Sequence, residues 1–535
     1  MKYRSTSRFT VFVIFLVLEL FIVACQSPQV STRKIDVSIL TEGKTRQVSL
    51  PAGSTVAEAI KKAGLIPGNL DRIEPPYYTV LSEGDNIKLI RINEVYKTEE
   101  RIIPYKHQVV RNESLAEGET RLIQPGINGI QEITYRHTIE DDEETNNSIV
   151  KTVIIKTPVP EIMMVGVQAA FAPIPIPGRL IYLAGGNAWI MEGSTTNRRP
   201  LITSGDLDGY IFTESPQGDW LLFTRKSNQS PDLERNTLWV VSTSGTSPLI
   251  IDLKVSNVVH YAGWWPGGGT KVVYSTVESR PTPPGWQANN DLYQVTFGSG
   301  WVSKPIRIVE SNSGGVYGWW GMTFAWSGNG QYLAYSRPDE IGLVDVNTGT
   351  LIPLMEITPL QTHSDWAWFP AIAWGSDDRT LYSVTHAPST GLVSPEESPH
   401  FDLNCISLVN NSSVRIAQET GMFAYVSPSP LQINGREQNY QIAYLQAVFP
   451  AQSETSRYRL VIMDRDGSNR KVIFPPEDAE GLEPRVPVWS PQSSAGQSEN
   501  MLAIIYQGNL WLIVPTSGQA QQITGDGLIK RIDWK

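Results

Sequence analysis

The chain has 535 residues and a formal net charge of −10, with two cysteines and six histidines. This length suits roughly two to four domains. The acidic balance and the lack of a basic patch argue against nucleic-acid binding, and two cysteines are too few for a disulfide framework or a cysteine-based zinc motif. We therefore expect ordinary apolar cores, no metal ion, no cofactor and a monomer.

The N-terminus has the pattern of an export signal. A basic stretch, MKYRSTSR, precedes the apolar run Phe9–Ala24, which only Glu19 interrupts. The run is shorter than the roughly 20 residues that a membrane helix needs, so residues 1–24 are predicted to be a signal peptide. The run ends in IVAC, which resembles the lipobox of bacterial lipoproteins and implies lipidation of Cys25 outside the cytoplasm. An uncleaved anchor helix is the alternative, and residues 25–34 are expected to be a linker.

Residues 35–93 predict a small mixed domain. The segments IDVSILTEG and KTRQVSLPAG alternate like the strands of a hairpin. Thr55 and Glu58 have capping-box spacing and predict the helix VAEAIKKAG, which Gly64 closes, and NIKLIRI returns as a strand. This order of elements is that of a β-grasp. The segment resembles the ubiquitin-like domain of unknown function that precedes G-five domains in exported bacterial proteins.

Residues 94–167 resemble a G-five domain. The matching features are Ile103-Pro104-Tyr105, Gly118-Glu119, Gly126, Gly129 and Gly166. The resemblance implies a thin, extended sheet with little core, in a surface module that is sometimes linked to glycans containing N-acetylglucosamine and otherwise serves as a stalk. One hairpin departs from the family, because the segment Glu140–Asn147 reads EDDEETNN. We interpret it as a solvated hairpin tip, with a cation site as the alternative.

A repeat follows the proline-rich linker 168–177 and fills residues 178–535. One half of the repeat is strand, turn, strand, as in FAWSGNGQYLAYS and GWWPGGGTKVVYS, and the other half is an apolar strand, a turn and a shorter strand, as in NLWLIVPTSGQAQQIT. Four short strands at a period of about 50 residues are typical of a propeller blade. The sequence therefore predicts a mainly β protein with a C-terminal β-propeller.

Counting the blades depends on one aromatic position at the end of each first strand. The predicted occupants are Glu214, Trp265, Trp326, Trp374, Val426, Trp489 and Trp534. The last segment, IKRIDWK, supplies only a first strand, and three strands (RLIYLAG, NAWIMEG and RRPLIT) stand at the start of the repeat. We predict that Ile529–Trp534 pairs with Leu180–Leu183 and closes a ring of seven blades, with six or eight as alternatives.

Short motifs in the repeat resemble those of TolB-type and WD-repeat-like propellers. They are Trp489-Ser490-Pro491, Ser215-Pro216-Gln217-Gly218 and the segment MDRDGSN that contains Asp464 and Asp466. The resemblance indicates the fold and leaves the function open, because propellers host many activities. Asp464 and Asp466 also have the spacing of a calcium loop, but the later ligands are lacking, and we predict a turn there.

Aromatic residues accumulate in the segments that lead into consecutive blades. Trp326 is expected to be core. The candidate ligand-binding residues are Trp264, Trp319, Trp320, Trp366, Trp368 and Phe369. A cluster of rings on a loop rim suits stacking on sugars or a contact with a protein partner. The alternative is that these rings form a satellite core beneath long loops.

The sequence holds no recognisable catalytic motif. HExxH, paired-histidine, Gly-x-Ser-x-Gly, P-loop and dinucleotide patterns are all lacking. His363 and Asp365 could form an acid–base pair, but Asp365 fits a turn better. We therefore predict no catalytic residue and a membrane-anchored lipoprotein that binds a cell-envelope glycan or a protein partner. An exported carbohydrate-active or hydrolytic enzyme, or a structural scaffold of an envelope complex, is the alternative.

Overall fold

The structure, a computed structural model, describes residues 33–112, 118–166, 171–245, 248–389, 393–434, 437–492 and 499–535. The chain forms two compact units. One contains the residues up to Tyr105 together with Ile127–Val159, and the other contains Lys106–Gly126 and Pro160–Lys535. Strands dominate both units, and the described residues include one α-helix.

The first unit begins with a four-stranded sheet and a helix. The strands are β1 (Lys34–Thr41), β2 (Lys44–Pro51), β3 (Arg72–Glu74) and β4 (Asn86–Ile90), in the order β2-β1-β4-β3, with β1 and β4 parallel. Helix α1 (Val56–Lys62) begins as predicted, because the Glu58 carboxylate accepts the backbone N–H of Thr55 at 2.9 Å. It ends before Gly64, whose φ of 69° is a left-handed conformation that glycine adopts without strain. Val37, Ile39 and Ile87 are fully buried against the helix.

A long three-stranded sheet completes this unit. It consists of β5 (Ile92–Ile103), β8 (Gly129–Glu140) and β9 (Glu143–Lys156), all antiparallel, with β8 in the centre. The pairing of β9 with β8 shifts three times and leaves Thr145, Val150 and Ile155 without opposite residues, as in β-bulges. The predicted hairpin tip is confirmed, and the Glu140 carboxylate on it pairs with Arg72 at 3.0 Å.

The second unit begins with a small sheet and continues with the repeat region, which runs from β11 to β42. The small sheet comprises β6 (His107–Asn112), β7 (Thr120–Gln124) and β10 (Glu161–Gly166). Strand β10 lies in its centre, parallel to β6 and antiparallel to β7.

Six consecutive antiparallel sheets make up most of the repeat region. Sheet 1 contains β13 (Leu207–Glu214), β14 (Trp220–Lys226), β15 (Asn236–Ser242) and β16 (Ile250–Ser256). Sheet 2 contains β17 (Ala262–Trp264), β18 (Lys271–Tyr274), β21 (Leu292–Gly298), β22 (Trp301–Val302) and β23 (Ile306–Val309), with the hairpin β19 (Val277–Ser279) and β20 (Trp286–Ala288) inserted. Sheet 3 contains β24 (Thr323–Trp326), β25 (Leu333–Arg337), β26 (Glu340–Asp345) and β27 (Thr350–Glu356).

The remaining three of the six follow the same strand order. Sheet 4 contains β28 (Ile372–Trp374), β29 (Thr380–Ala387), β30 (His400–Ser407) and β31 (Ser412–Ala417). Sheet 5 contains β32 (Ser427–Pro428), β35 (Gln441–Ala447), β36 (Tyr458–Asp464) and β37 (Lys471–Phe474), with the hairpin β33 (Gln432–Asn434) and β34 (Glu437–Asn439) inserted. Sheet 6 contains β38 (Val488–Trp489), β39 (Leu502–Tyr506), β40 (Asn509–Val514) and β41 (Gln519–Gln522).

The closing sheet joins the two ends of the repeat region. It contains β11 (Pro175–Ala184), β12 (Asn187–Ile202) and β42 (Ile529–Trp534) in the order β12-β11-β42. The predicted pairing of the last strand is confirmed, because Leu180 lies opposite Trp534 and Leu183 lies opposite Arg531. The prediction of separate strands at NAWIMEG and RRPLIT was wrong, since one continuous strand covers both. Thr195 and Thr196, which favour extended backbone, follow Gly193, whose φ of 70° marks the irregularity between the two segments.

Neighbouring sheets share apolar clusters. Apolar side chains are buried together between sheets 1 and 2, between sheets 2 and 3, among sheets 3, 4 and 5, and between sheets 5 and 6. The closing sheet packs on sheet 1 through Leu183 and Phe223, and on sheet 6 through Met191 and Ile505. Among the residues that the structure describes, no helix is long and apolar enough to span a membrane.

The structure changes two of the predicted occupants of the aromatic position at the end of the first strands. In sheet 2 it is Trp264 and not Trp265, because Trp264 lies opposite Val272 just as Trp326 lies opposite Leu333. The indole Nε1 of Trp264 donates to the Thr213 carbonyl at 3.1 Å. Trp374 and Trp489 make the same kind of bond to their neighbouring first strands.

In sheet 5 the position is Pro428 and not Val426, since Pro428 lies opposite Ile442. The cause is a tandem of Ser-Pro pairs. The turn uses the second pair, in which the Ser429 hydroxyl accepts the backbone N–H of Gln441 at 3.0 Å, as Ser490 does for Met501. Trp265, one residue beyond its predicted role, packs on Trp326 with ring centroids 4.9 Å apart.

Candidate functional site

Antiparallel strands bring two kinds of connection to one end of the repeat sheets. Successive strands run in opposite directions, so the segment leading into a first strand and the turn from the second to the third strand share an edge. We call this the loop edge. In sheets 4 and 5 it includes the short 3₁₀ helices Pro395–Glu397 and Pro450–Gln452. Loops carried on a rigid β scaffold are where binding residues concentrate.

Trp319 and Trp320 belong to an indole cluster on the loop edge. Trp320 lies 4.9 Å from Trp286 and 5.7 Å from Trp319, measured between ring centroids, and both predicted residues are half-buried. His260 stacks on Trp286 at 6.1 Å, and burial lowers the pKa of His260 to about 4. The imidazole is therefore neutral near pH 7 and serves as another ring in the cluster. These rings pack mainly on one another.

The second predicted group, Trp366, Trp368 and Phe369, lies on sheet 4. Trp368 is buried, and its Nε1 donates to the Met422 carbonyl at 3.0 Å. Trp366 and Phe369 are half-buried. Trp264, the sixth predicted residue, is buried in the core between sheets 1 and 2. The structure thus does not bring the six residues to one exposed face, and the rings of Trp264 and Trp368 are enclosed by protein.

A cleft of about 420 Å³ lies on the loop edge of sheets 4 and 5, directly in front of Trp368. Its apolar floor consists of Leu360, Phe401 and Met422, all buried side chains. Trp368 supports this floor from behind, with its ring centroid 5.0 Å from that of Phe401. The volume falls within the range of about 300–1,000 Å³ that is usual for small-molecule sites.

The rim of the cleft is polar and solvent-exposed. His363 and Glu397 lie side by side on one wall, with 3.0 Å between the Nε2 atom of His363 and the Oε1 atom of Glu397. The other wall is the turn after Pro450, which presents Gln452 and Glu454. His363 has a φ of 54°, an uncommon backbone conformation for a non-glycine residue. A ligand with an apolar face and several hydroxyl groups fits a floor and rim of this composition.

Buried hydrogen bonds hold the two walls together. The Ser453 hydroxyl accepts the backbone N–H of Met422 at 3.1 Å. His386, which is buried beneath the rim, has Nδ1 at 2.9 Å from the Thr358 carbonyl and Nε2 at 2.7 Å from the Ser398 carbonyl. These contacts preorganise the cleft.

His363 does not pair with Asp365. The partner of His363 is Glu397, whereas the Asp365 carboxylate accepts the Ser364 hydroxyl at 3.2 Å. A histidine and a carboxylate at this distance can exchange a proton.

Glu214 is the most perturbed acid in the repeat region. Its side chain is 1% exposed, and neither carboxyl oxygen has a hydrogen-bond partner within the described segments. Burial, with a smaller contribution from the charge of Asp533, raises the pKa of Glu214 to about 10. The carboxyl group is therefore neutral at pH 7. It lies at the junction of β13 and β42, away from the cleft, so it affects the stability of the fold and does not contact a ligand in the cleft.

The other sequence-based candidates are turns or lie elsewhere. Asp464 and Asp466 form the turn between β36 and β37, where Asp464 accepts Asn469 at 2.7 Å and Asp466 accepts the backbone N–H of Ser468 at 3.0 Å. Over the described ranges, no group of three or more His, Cys, Asp or Glu residues has metal-binding geometry. Cys25, the predicted lipidation site, lies outside the described residues.

Sequence reasoning missed most of the cleft. Glu397 lies in the connection between β29 and β30, Phe401 lies on β30, and Met422 lies between β31 and β32, while Gln452 and Glu454 come from the connection between β35 and β36. None of these segments carries a motif. The local signals were the aromatic density around Trp368, which indicated the right loop but not the face that it supports, and His363, which was paired with Asp365 instead of Glu397.

Comparison with known proteins identifies one domain. The G5 domain family matches residues 94–168. Among solved structures, the G5 domain of an IgA1 protease is similar at 28% identity, over 15% of this chain and 94% of that one, with a TM-score of 0.13. A putative TolB from Agrobacterium tumefaciens shares 14% identity over 56% of this chain and 89% of its own, with a TM-score of 0.32.

The tricorn protease shares 11% identity over 75% of this chain and 38% of its own, with a TM-score of 0.41. No curated protein sequence matches the chain. The family match agrees with the features quoted from the sequence, including Gly126, Gly129 and Gly166. Residues 94–168 are a G5 domain.

Proposed function

We propose that this chain is an extracytoplasmic lipoprotein, anchored through Cys25, that binds a glycan of the cell envelope in the cleft on sheets 4 and 5. In this proposal the N-terminal sheet with α1 is a β-grasp domain, and it forms a wall-contacting stalk with the G5 domain. The repeat region is a seven-bladed β-propeller whose ring closes through β42. The shared clusters between successive sheets, and between the closing sheet and both of its neighbours, support this ring.

The observation that carries the glycan proposal is the composition of the cleft. Sugar rings have apolar faces and hydroxyl edges, and the cleft combines a small apolar floor, where Phe401 and Met422 are largely covered, with an exposed polar rim of His363, Glu397 and Glu454. The volume suits a ligand of one or two sugar units. The G5 domain is consistent with a role at the cell wall.

The test is binding of soluble cell-wall glycan fragments to the full chain, measured by calorimetry. The double variant Gln452→Ala and Glu454→Ala changes only exposed side chains and should weaken binding about thirtyfold, because each of the two lost hydrogen bonds to a ligand contributes roughly 1 kcal/mol. The matched control is Glu310→Gln, an exposed acid outside the cleft. Equal affinity for the double variant and the unchanged chain would rule out this cleft as the glycan site.

One contact favours a second candidate function. The pair His363 and Glu397 stands at the rim of the cleft, where it would act on a bound ligand as an acid and a base. An exported carbohydrate-active or hydrolytic enzyme would turn over glycans or esters and lose that turnover in His363→Gln. If a broad screen for turnover detects no reaction, the enzyme candidate is ruled out and the binding function remains. Binding of a protein partner, or a scaffold role, would instead appear as loss of a stable complex in the rim variants.

A further inference from the structure

Four first strands begin next to one another on the loop edge. Strand β32 contacts β38, β38 contacts β42, and β42 contacts β13. Tyr425 and Arg485 stand just before β32 and β38, while Arg531 is the third residue of β42 and Asp208 is the second residue of β13. The chain as a whole is acidic, so two arginines on adjacent strands are a local exception.

The side chain of Arg531 is oriented by the neighbouring strand. Its Nε donates to the Gly209 carbonyl at 2.8 Å, and its Cγ lies 3.9 Å from the point where a Cβ of residue 209 would stand. Gly209 has a φ of 79°, which an ordinary side chain rarely adopts. Arg485 is exposed, and Arg531 reaches solvent at the loop edge although protein surrounds much of its side chain. Among the described residues, neither arginine forms an ion pair with a carboxylate.

The nearest acid is already occupied. Asp208 accepts the backbone N–H of Tyr210 at 3.0 Å, the Asn236 side chain at 3.1 Å and the Thr224 hydroxyl. Burial and then the charge of Arg485 lower the pKa of Arg531. Two positive groups that disfavour each other's charge are stabilised by an anion between them.

Tyr425 supplies a third donor. Tyr425 precedes Pro428 of β32 by three residues, as Arg531 precedes Trp534 of β42, so the two occupy equivalent places on their first strands. Burial raises the pKa of Tyr425, and the charges of Arg531 and Arg485 oppose that rise. Its hydroxyl is therefore protonated at neutral pH and can donate a hydrogen bond. The backbone of Tyr425 has a φ of 32°, a conformation that costs energy for a non-glycine residue and that is concentrated at binding sites.

We propose that Arg485, Arg531 and Tyr425 form an oxyanion site, which binds a carboxylate or phosphate group of a ligand that approaches the loop edge. Guanidinium groups match the geometry of both oxyanions through paired N–H donors. The phenol adds a neutral donor. The site is separate from the cleft on sheets 4 and 5, so a negative result for one of the two proposals does not affect the other.

The test uses two small probes and the full chain. Inorganic phosphate and glucuronate are titrated by calorimetry, with sodium chloride at matched ionic strength as the reference. Binding of phosphate alone would indicate a phosphate-bearing ligand, and binding of both would include carboxylates. The absence of heat beyond that of sodium chloride for both probes would overturn the proposal.

Variants locate the site. Arg485→Gln removes an exposed side chain without a partner and should weaken probe binding about tenfold, because a charge-assisted hydrogen bond is lost. Tyr425→Phe should weaken it a few-fold, and Arg531→Gln at least as much as Arg485→Gln. The matched control is Arg307→Gln, an exposed arginine on β23. Undiminished phosphate binding in Arg485→Gln would show that the oxyanion lies elsewhere, whatever the result with Arg531→Gln, whose hydrogen bond to Gly209 also affects folding.

Discussion

The thin sheet β5-β8-β9 and sheet 6 of the repeat region are both antiparallel, but they bury their apolar side chains to different extents. Every residue of β39 in sheet 6 is buried. On β9, by contrast, Ile149 is 58% exposed and Ile155 is 53% exposed, and Ile133 on β8 is the large apolar residue of the thin sheet that is fully buried in the described part. Strand pairing holds the thin sheet together, whereas packing between faces holds the repeat sheets.

This difference separates two sources of stability in one chain. Backbone hydrogen bonds contribute modestly when the unfolded chain can bond to water instead, so the thin sheet depends on its length and on a few contacts. The repeat sheets gain from burial of apolar area at roughly 25 cal/mol per Å². Core substitutions should therefore cost much more in the repeat region than in the thin sheet.

The largest expected effect is at the junction between the chain's last strand and β11. Trp534 is buried, and its Nε1 donates to the Pro177 carbonyl at 2.7 Å. Trp534→Ala should lower the free energy of unfolding by about 3–5 kcal/mol, measured by urea denaturation. Trp301→Ala is the control, since Trp301 is 54% exposed and should change stability by about 0.5 kcal/mol or less. Similar losses in the two variants would contradict the packing of β42.

Adjacent tryptophans in sheet 2 sharpen the comparison within a single strand end. Trp264 is buried and donates to Thr213, whereas Trp265 is half-buried and stacks on Trp326. We expect Trp264→Ala to be more destabilising than Trp265→Ala by about 2 kcal/mol, because it leaves the larger cavity. Urea midpoints of the two variants measure this difference, and a reversed order would restore the sequence-based register.

The thin sheet offers its own matched pair. Ile133→Ala should destabilise the first unit by about 2 kcal/mol, since Ile133 is buried there. Ile155→Ala, at an exposed bulge, should cost less than about 0.5 kcal/mol. Hydrogen exchange of the amides of β5 and β8 reports the local effect. If both variants change exchange equally, the thin sheet has no core of its own.

The last prediction is a slope against pH and not a loss on substitution, and Glu214 produces it. Its pKa is about 10 in the folded chain and close to 4.5 when unfolded, so the folded state holds the proton more tightly. This contribution to stability is complete below pH 4.5 and is lost as the pH rises towards 10, by up to about 1.4 kcal/mol per pH unit.

Glu214→Gln should remove this slope, because the amide is uncharged at every pH. The measurement is the urea midpoint at pH 6 and at pH 9 for the unchanged chain, for Glu214→Gln and for the exposed control Glu310→Gln. The control should keep the original slope. A slope that persists in Glu214→Gln would mean that other groups cause it.

Local patterns predicted the repeat and its junction well, because strand alternation and turn residues are local properties. They predicted that β42 pairs with Leu180, more than half of the chain away, because the last segment supplies a single first strand that needs partner strands. They failed at Trp264 and Pro428, where neighbouring residues compete for one position and only the three-dimensional pairing decides. The cleft could not be predicted, because Phe401, Met422 and Glu454 meet only after sheets 4 and 5 pack.

The three bulges on β9 have a consequence for how the molecule behaves in a crowded solution. A long, regular edge strand can recruit the same strand of another copy and start aggregation. Strand β5, at the opposite edge, carries charged residues such as Glu99 and Arg101, which discourage such recruitment. Strand β9 ends in the apolar segment IVKTVIIK, and its unpaired Thr145, Val150 and Ile155 break the spacing of donors and acceptors every few residues. An incoming strand would therefore meet only short stretches of matching backbone, and the thin sheet would stay soluble at high concentration.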